Sequence, residues 1–288
     1  MKRVVVVAAF GALVVSGCAT LIGASFDDAG LVEYDAGSDV RDGGLKFDVT
    51  DSKPFDPTSL PYLAFWVDAH QQIDVNTSNQ VVTWRDLSGF AGRDAVVNDA
   101  GYGTPTLVPT AINGQPGVHF ASSSEQLLST GFLGPGSTQF TIFVVTQGYP
   151  QSAVRFQNAA NQLPVLMFPY DMATSETSPS FEFYFASSAS VVGTAHIAIS
   201  TSPTIAAVTF RATGTIATYT NGTLIEQRVS DASAGSNAKL WIGGLPYPLT
   251  TIFTDGDIGE IIIYSDALSD IDRSRVEDYL SVKWSIAL

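Results

Sequence analysis

Between residues 58 and 265, short apolar runs alternate with clusters of Gly, Pro, Asn and Ser. Phe140-Thr141-Ile142-Phe143-Val144-Val145-Thr146 is β-branched and aromatic throughout, which predicts a strand buried on both faces. Phe181–Phe185 and Ala206–Arg211 alternate with period two, and the second places Thr209 and Arg211 on the solvent side. Thr215–Thr220 and Thr223–Val229 flank Asn221-Gly222, a two-residue loop whose members tolerate positive φ and therefore close a hairpin. Ile258–Tyr264 reads as a further strand. The period changes only near the end, where Val276, Leu280 and Trp284 recur at four-residue spacing. Ser269 can cap that helix, with Asp272 three residues on. Regularly spaced short strands without helix–strand alternation predict an all-β sandwich or barrel closed by one helix.

The first residues follow a different pattern. Met1-Lys2-Arg3 is a basic start, Val4–Val15 is apolar apart from Gly11, and Val15-Ser16-Gly17-Cys18 ends the run on small residues before a cysteine. This is the layout of a secretion signal, residues 1–17, with a small-residue cleavage site. The small residues before a lone Cys resemble the lipobox of bacterial lipoprotein precursors. The resemblance implies diacylation of the Cys18 thiol, with cleavage leaving Cys18 at the mature N-terminus. An uncleaved spanning helix is the alternative, but Ser16, Gly17 and Thr20 interrupt the second half of the stretch. Several acyl chains give stable anchoring where one is marginal. Ala19 after the cysteine resembles outer-membrane sorting. The expected address is therefore the cell envelope, lipid-anchored in the outer membrane of a Gram-negative bacterium.

Residues 18–57 read as the lipidated cysteine and a tether, and residues 58–288 as the folded domain. Eight Asp and one Glu against three basic residues between 24 and 57 make an extended, self-repelling spacer. The chain has 14 basic and 28 acidic residues, a net charge of −14, which disfavours a phosphate backbone and argues against nucleic acid as a partner. One cysteine excludes an intrachain disulfide, and three histidines far apart in sequence leave little material for a His/Cys zinc site.

Three segments occur in order: Leu63-Ala64-Phe65-Trp66-Val67-Asp68-Ala69, then Val82–Gly89, then Ile112-Asn113-Gly114-Gln115-Pro116-Gly117-Val118-His119-Phe120. They resemble the opening strands of laminin-G-like, concanavalin A-like jelly-roll domains of bacterial surface proteins. Gly256–Tyr264 and Tyr279–Trp284 look like the later strand and the usual ending. The resemblance spans about residues 60 to 285 and implies a two-sheet antiparallel β-sandwich with a short C-terminal helix. It does not imply one activity, because the superfold hosts lectins, glycosidases, adhesins and spacers.

Glucanases of this superfold place catalytic carboxylates at alternate positions of one strand, about 5–5.5 Å apart for retaining chemistry. The seven glutamates offer no pair at the required spacing. The nearest imitation is Asp255, Asp257 and Glu260, with Asp in place of the first Glu. The expectation is therefore no catalytic residue and no enzyme, and a non-catalytic module binding glycan or a surface protein. The alternatives are a glycoside hydrolase using Asp257 and Glu260, or a structural envelope lipoprotein. His119, His70 and His196 read as structural residues. Asp86 and Asp94 bracket a Gly-containing loop that suits Ca²⁺ through hard oxygen ligands, or a loop anchor paired with Arg85 and Arg93. Tyr102, Tyr149, Tyr170 and Tyr247 lie in turn-rich stretches where a ring could stack on a sugar, whereas the four Trp fall in core patterns.

Overall fold

A computed structural model describes residues 54–97, 103–121, 125–129, 131–132, 139–149, 152–158, 164–171, 180–187, 190–191, 196–198, 201–229, 238–245 and 252–288. Cys18, the signal segment and the Asp-rich stretch up to residue 53 lie outside them. All described residues belong to a compact unit spanning Lys53–Leu288. No helix among them is long and apolar enough to cross a membrane.

The apolar runs form two antiparallel sheets. The first, of eight strands, runs in space Thr223–Val229, Thr215–Thr220, Thr204–Phe210, Phe140–Tyr149, Asp255–Tyr264, Gln115–Phe120 and Thr106–Ile112, with Leu63–Asp68 also pairing Asp255–Tyr264. The second, of ten strands, is centred on Pro164–Asp171, Ser152–Asn158, Ala238–Ile242 and Leu127–Ser129. The expected all-β, two-sheet jelly-roll sandwich with one C-terminal helix is the observed fold. Phe140–Thr146 is buried on both faces, as its composition predicts. Phe65 of the first sheet touches Phe132 (5.7 Å between ring centroids), which touches Phe156 of the second (5.6 Å). Burying each ring contributes roughly 1.5–3 kcal/mol.

Helix α1, Asp270–Trp284, lies over the outer face of the first sheet. The Ser269 hydroxyl accepts the Asp272 N–H at 3.1 Å, and Val276, Leu280 and Trp284 are fully buried. Its C-terminal carbonyls are met by a turn distant in sequence. Asn113-Gly114 closes the hairpin Thr106–Ile112/Gln115–Phe120 with φ of 48° and 78°, and the Asn113 amide donates to Trp284 O (3.0 Å) and Ser285 O (2.9 Å). Asn221-Gly222 closes its predicted hairpin with φ of 47° and 75°. Thr209 departs from expectation: it is buried rather than solvent-facing. Its cross-strand partner Thr141 donates to Asp266 O and accepts Leu268 N–H, so the segment leading into α1 covers that face.

Candidate functional site

The strand Asp255–Tyr264 carries the chemistry of the outer face because of one irregularity. Asp257 pairs with Gln147 and Ile258 with Thr146, but Glu260 pairs with Val145, so Gly259 is an extra residue in the ladder. Directly paired residues share a face, and Gln147 and Val145 are two apart. The bulge therefore turns Asp257 and Glu260 to the same face despite their odd spacing. Glycine is needed there: a Cβ on Gly259 would stand 2.5 Å from Trp284 Cη2.

Sharing a face does not make these two a catalytic pair. Glu260 is 1% exposed and its oxygens accept from Trp66 Nε1 (2.7 Å), Tyr279 OH (2.9 Å) and Trp284 Nε1 (2.7 Å), while Lys283 Nζ lies 2.8 Å away. Lys283 also donates to Asp68 Oδ2 at 2.8 Å, and Asp68 accepts from His70 and Gln71. This network fastens α1 to the sheet. Desolvation pushes the Glu260 carboxyl above its usual range, against the attraction of Lys283. Desolvation also acts on Asp68, but Lys283 and the His70 contacts outweigh it and hold that carboxyl below its usual value. With every strong acceptor position engaged under a helix, Glu260 cannot meet a substrate. Glu260 is therefore closed to the role that the alternative of a glycoside hydrolase using Asp257 and Glu260 would give it. Asp255 is exposed at the strand start.

The groups left open collect at one end of the sandwich. His119 stands directly opposite Asp257 in the neighbouring strand, with Nδ1 3.0 Å from Asp257 Oδ1. The imidazole is 41% exposed and the carboxylate 17%, so both reach solvent. Past the end of the His119 strand, Glu125 Oε2 accepts the Ala121 N–H at 2.7 Å. Burial pushes the Glu125 carboxyl above its usual range, with the Ala121 N–H and the nearby His119 pulling the other way. The next residue, Gln126, is fully buried, and neither its Oε1 nor its Nε2 has a hydrogen-bond partner. Thr254, which precedes Asp255, is also fully buried with an unpartnered hydroxyl. Both adjoin Gly243: Thr254 N–H donates to Gly243 O at 2.7 Å, and Ile242 pairs with Leu127. Nothing in the sequence marks Glu125 or Gln126 as functional, and His119 reads there as a structural residue. The one available signal was the Asn113-Gly114 dipeptide, which fixes the hairpin that carries His119.

The remaining expected residues separate. Asp86 Oδ1 accepts from Trp66 N (2.9 Å) and Ser88 N (3.0 Å), Asp86 Oδ2 accepts from Ser88 Oγ (2.5 Å), and Asp94 Oδ1 accepts Asp86 N at 3.0 Å. Arg85 lies 3.7 Å from Asp94 Oδ2. Among the described residues, no three His, Cys, Asp or Glu side chains gather as a metal site. Trp66, Trp84, Trp241 and Trp284 are buried. Tyr102 and Tyr247 lie outside the described residues; Tyr149 and Tyr170 are strand positions at which the backbone alone is described.

No protein-family model matches the sequence, and no curated protein matches it. Solved structures do. An arabinofuranosidase complexed with arabinofuranosyl-α-1,2-xylobiose is similar at TM-score 0.54 and 13% identity, over 76% of this chain and 58% of that one. A Trypanosoma rangeli sialidase is similar at TM-score 0.45 and 14% identity, over 79% and 34% of the two chains. Domain 4 of an extracellular arabinanase from Geobacillus stearothermophilus, in complex with arabinotriose, is similar at TM-score 0.41 and 17% identity, over 75% and 97%. The chain thus spans little more than half of the arabinofuranosidase. At this identity the likeness shows the β-sandwich fold. It nevertheless overturns the expectation that the chain is not an enzyme: a glycoside hydrolase contains this fold, so a missing strand-borne carboxylate motif is no ground for excluding catalysis.

Proposed function

We propose that the domain acts on carbohydrate and hydrolyses glycosidic bonds at the sandwich end formed by Glu125, His119 and Asp257. The observation that carries the reading is the solvent-facing His119–Asp257 pair, with the Glu125 carboxyl, in a more buried environment, held just past the end of the His119 strand on the Ala121 N–H. Such a separation of environments is how two acids take different roles. Glu125, whose carboxyl burial pushes above its usual range, gives its proton to the departing glycosidic oxygen as the bond to the anomeric carbon breaks. Water adds to that carbon, and its proton passes to Asp257, which His119 holds in place. The similarity to part of an arabinofuranosidase supports the fold on which this rests.

The test is release of reducing ends from a panel of arabinan, xylan, β-glucan and peptidoglycan. Wild type should cleave at least one, and Glu125→Gln should lower the rate by about 10²–10⁴-fold. No release from any member, together with no binding, refutes the reading.

The same proposal places the domain at the cell envelope, held by lipid on Cys18 with residues 18–57 as tether, in the outer membrane of a Gram-negative bacterium. The basic start, the apolar run and the lipobox-like Val15-Ser16-Gly17-Cys18 support it. Palmitate labelling should mark wild type and miss Cys18→Ser; equal labelling of both removes the anchor. Calcium at Asp86 and Asp94 belongs to the same set, and is tested by a rise in melting temperature on adding Ca²⁺ that Asp94→Ala abolishes.

A further inference from the structure

The outermost strand of a sheet offers its backbone N–H and C=O groups to another chain, and proteins blunt such edges by shortness, proline, lysine or a cover. Three of the four outermost positions in the two large sheets are blunted. The second sheet ends in Ile73–Val75 on one side and in Ser190–Val191 and His196–Ala198 on the other, none of them more than 3 residues long. At one end of the first sheet, Thr106–Ile112 carries Pro109 in its middle and is bridged at Thr106 by Gln80. Leu63–Asp68, which pairs off the main path, is engaged along its other side by Asp86, Leu87 and Arg93. The remaining end, Thr223–Val229, is different. It is 7 residues long, holds neither proline nor lysine, and has no strand beyond it among the described residues. Its apolar side chains stand in solvent: Leu224 is 49% exposed, Ile225 39% and Val229 77%.

The order of residues in this strand fits a second copy of itself. Antiparallel pairing about a two-fold axis perpendicular to the sheet at Gln227 sets Glu226 opposite Arg228, Arg228 opposite Glu226, and Ile225 opposite Val229. Opposite charges facing each other across strands stabilise the pair, and like charges destabilise it. Moving the axis to either neighbouring residue sets Glu226 against Glu226 or Arg228 against Arg228, so the charges select one register. The two side chains already lie together, with Arg228 Nε donating to Glu226 Oε1. An extra residue, Ile225, interrupts the ladder with Thr215–Thr220, but Glu226–Val229 pairs there without a break. The net charge of −14 opposes association of copies in general, so a contact between them has to be matched locally.

We propose that the protein forms a symmetric dimer in which Thr223–Val229 pairs antiparallel with the same strand of a second copy, joining the two first sheets into one. The inference is independent of the carbohydrate reading.

The test is sedimentation velocity of the full chain in a mild detergent, over a range of concentrations and at about 0.15 M salt, where long-range repulsion is largely screened. Wild type should sediment as a dimer. Glu226→Arg and Arg228→Glu, each alone, should weaken it about tenfold or more, because the two-fold axis repeats every like-charge contact. The double variant Glu226→Arg/Arg228→Glu should restore the wild-type affinity. Melting temperatures should move little, since an exposed ion pair contributes little to the fold. Val229→Lys, at the most exposed position, is the second probe should a charge reversal fail to fold, and it too should release monomer. In a Cys18→Ser background, Gln227→Cys on the axis should link copies on mild oxidation and Leu224→Cys should not. A monomer at every concentration overturns the inference. So does a dimer that withstands the single reversals and Val229→Lys, a folded double variant that stays monomeric, or a link that forms at Leu224→Cys and not at Gln227→Cys.

Discussion

Replacing Lys283 with Met removes the ammonium shared by Asp68 and Glu260. Lys283 Nζ sits 2.8 Å from Asp68 Oδ2 and 2.8 Å from Glu260 Oε2, and those two side chains are 2% and 0% exposed. The lysine is 19% exposed, so solvent screens the attraction only in part. Removing one partner of a buried ion pair costs about 3–5 kcal/mol, because a charge is left in a medium that solvates it poorly. Here two carboxylates are left, on neighbouring strands and directly opposite each other. For a unit of this size the loss corresponds to a fall in melting temperature of about 6–20 °C. The sign with pH follows from linkage. Without the lysine, both folded-state carboxyls titrate above their unfolded values. The folded state then binds more protons than the unfolded one just above about pH 4, and stability falls as pH rises through that window. In wild type, Asp68 has the opposite sign: its carboxyl is held low, so its contribution is present above the usual carboxylate range and is lost as acid protonates it. The penalty of Lys283→Met should therefore be larger at pH 8 than at pH 5. Urea unfolding at the two pH values, with Lys283→Met/Glu260→Gln as the control that restores part of the loss, reads it directly. A penalty under about 1 kcal/mol at pH 8, or one that grows in acid, refutes the view that this network fastens α1.

Gly259→Ala places a methyl group against the Trp284 ring and should destabilise by about 1–3 kcal/mol in thermal unfolding, whereas Ala at Gly114, where nothing lies within 4 Å, should cost only its backbone strain. Asp86→Ala orphans the Trp66 and Ser88 N–H groups and should cost about 1–3 kcal/mol by urea titration. If Glu125 is the proton donor, activity should fall on the alkaline side as that carboxyl ionises, with its midpoint above the ordinary glutamate value of 4.5; Glu125→Gln should remove that limb from the pH–rate profile.

The parts of the fold legible in the sequence are those set by local physics. Ser269, Asp272 and the Val276/Leu280/Trp284 stripe lie within a few turns of one another, so cap and buried face can be read together. Asn221-Gly222 names its own hairpin because both residues must take positive φ. The candidate site depends instead on register between distant strands. Asp257 and Glu260 share a face only through the extra residue at Gly259, which no periodicity announces. Lys283 meets an aspartate 215 residues away. His119 gains its role from Asp257, 138 positions on. Thr209 alternates like a solvent-facing residue and is buried because the distant segment Asp266–Leu268 lies over it. Gln126 carried no signal at all, since an amide becomes informative only when its surroundings show it unpaired.

The chain has three histidines, at 70, 119 and 196, and two of them serve as reporters. His119 stands in the proposed carbohydrate site; His70 sits in the α1 clasp, its ring bonded to Asp68 and Gln115. Histidine-labelled NMR, recorded while xylo-, arabino- and N-acetylglucosamine oligosaccharides are titrated in turn, tests the central claim most directly. The account predicts that at least one of these sugars moves the His119 ring signals in a saturable way while those of His70 stay in place, and that Asp257→Asn abolishes the response. Sugar binding that shifts His70 or His196 and leaves His119 unmoved would contradict it.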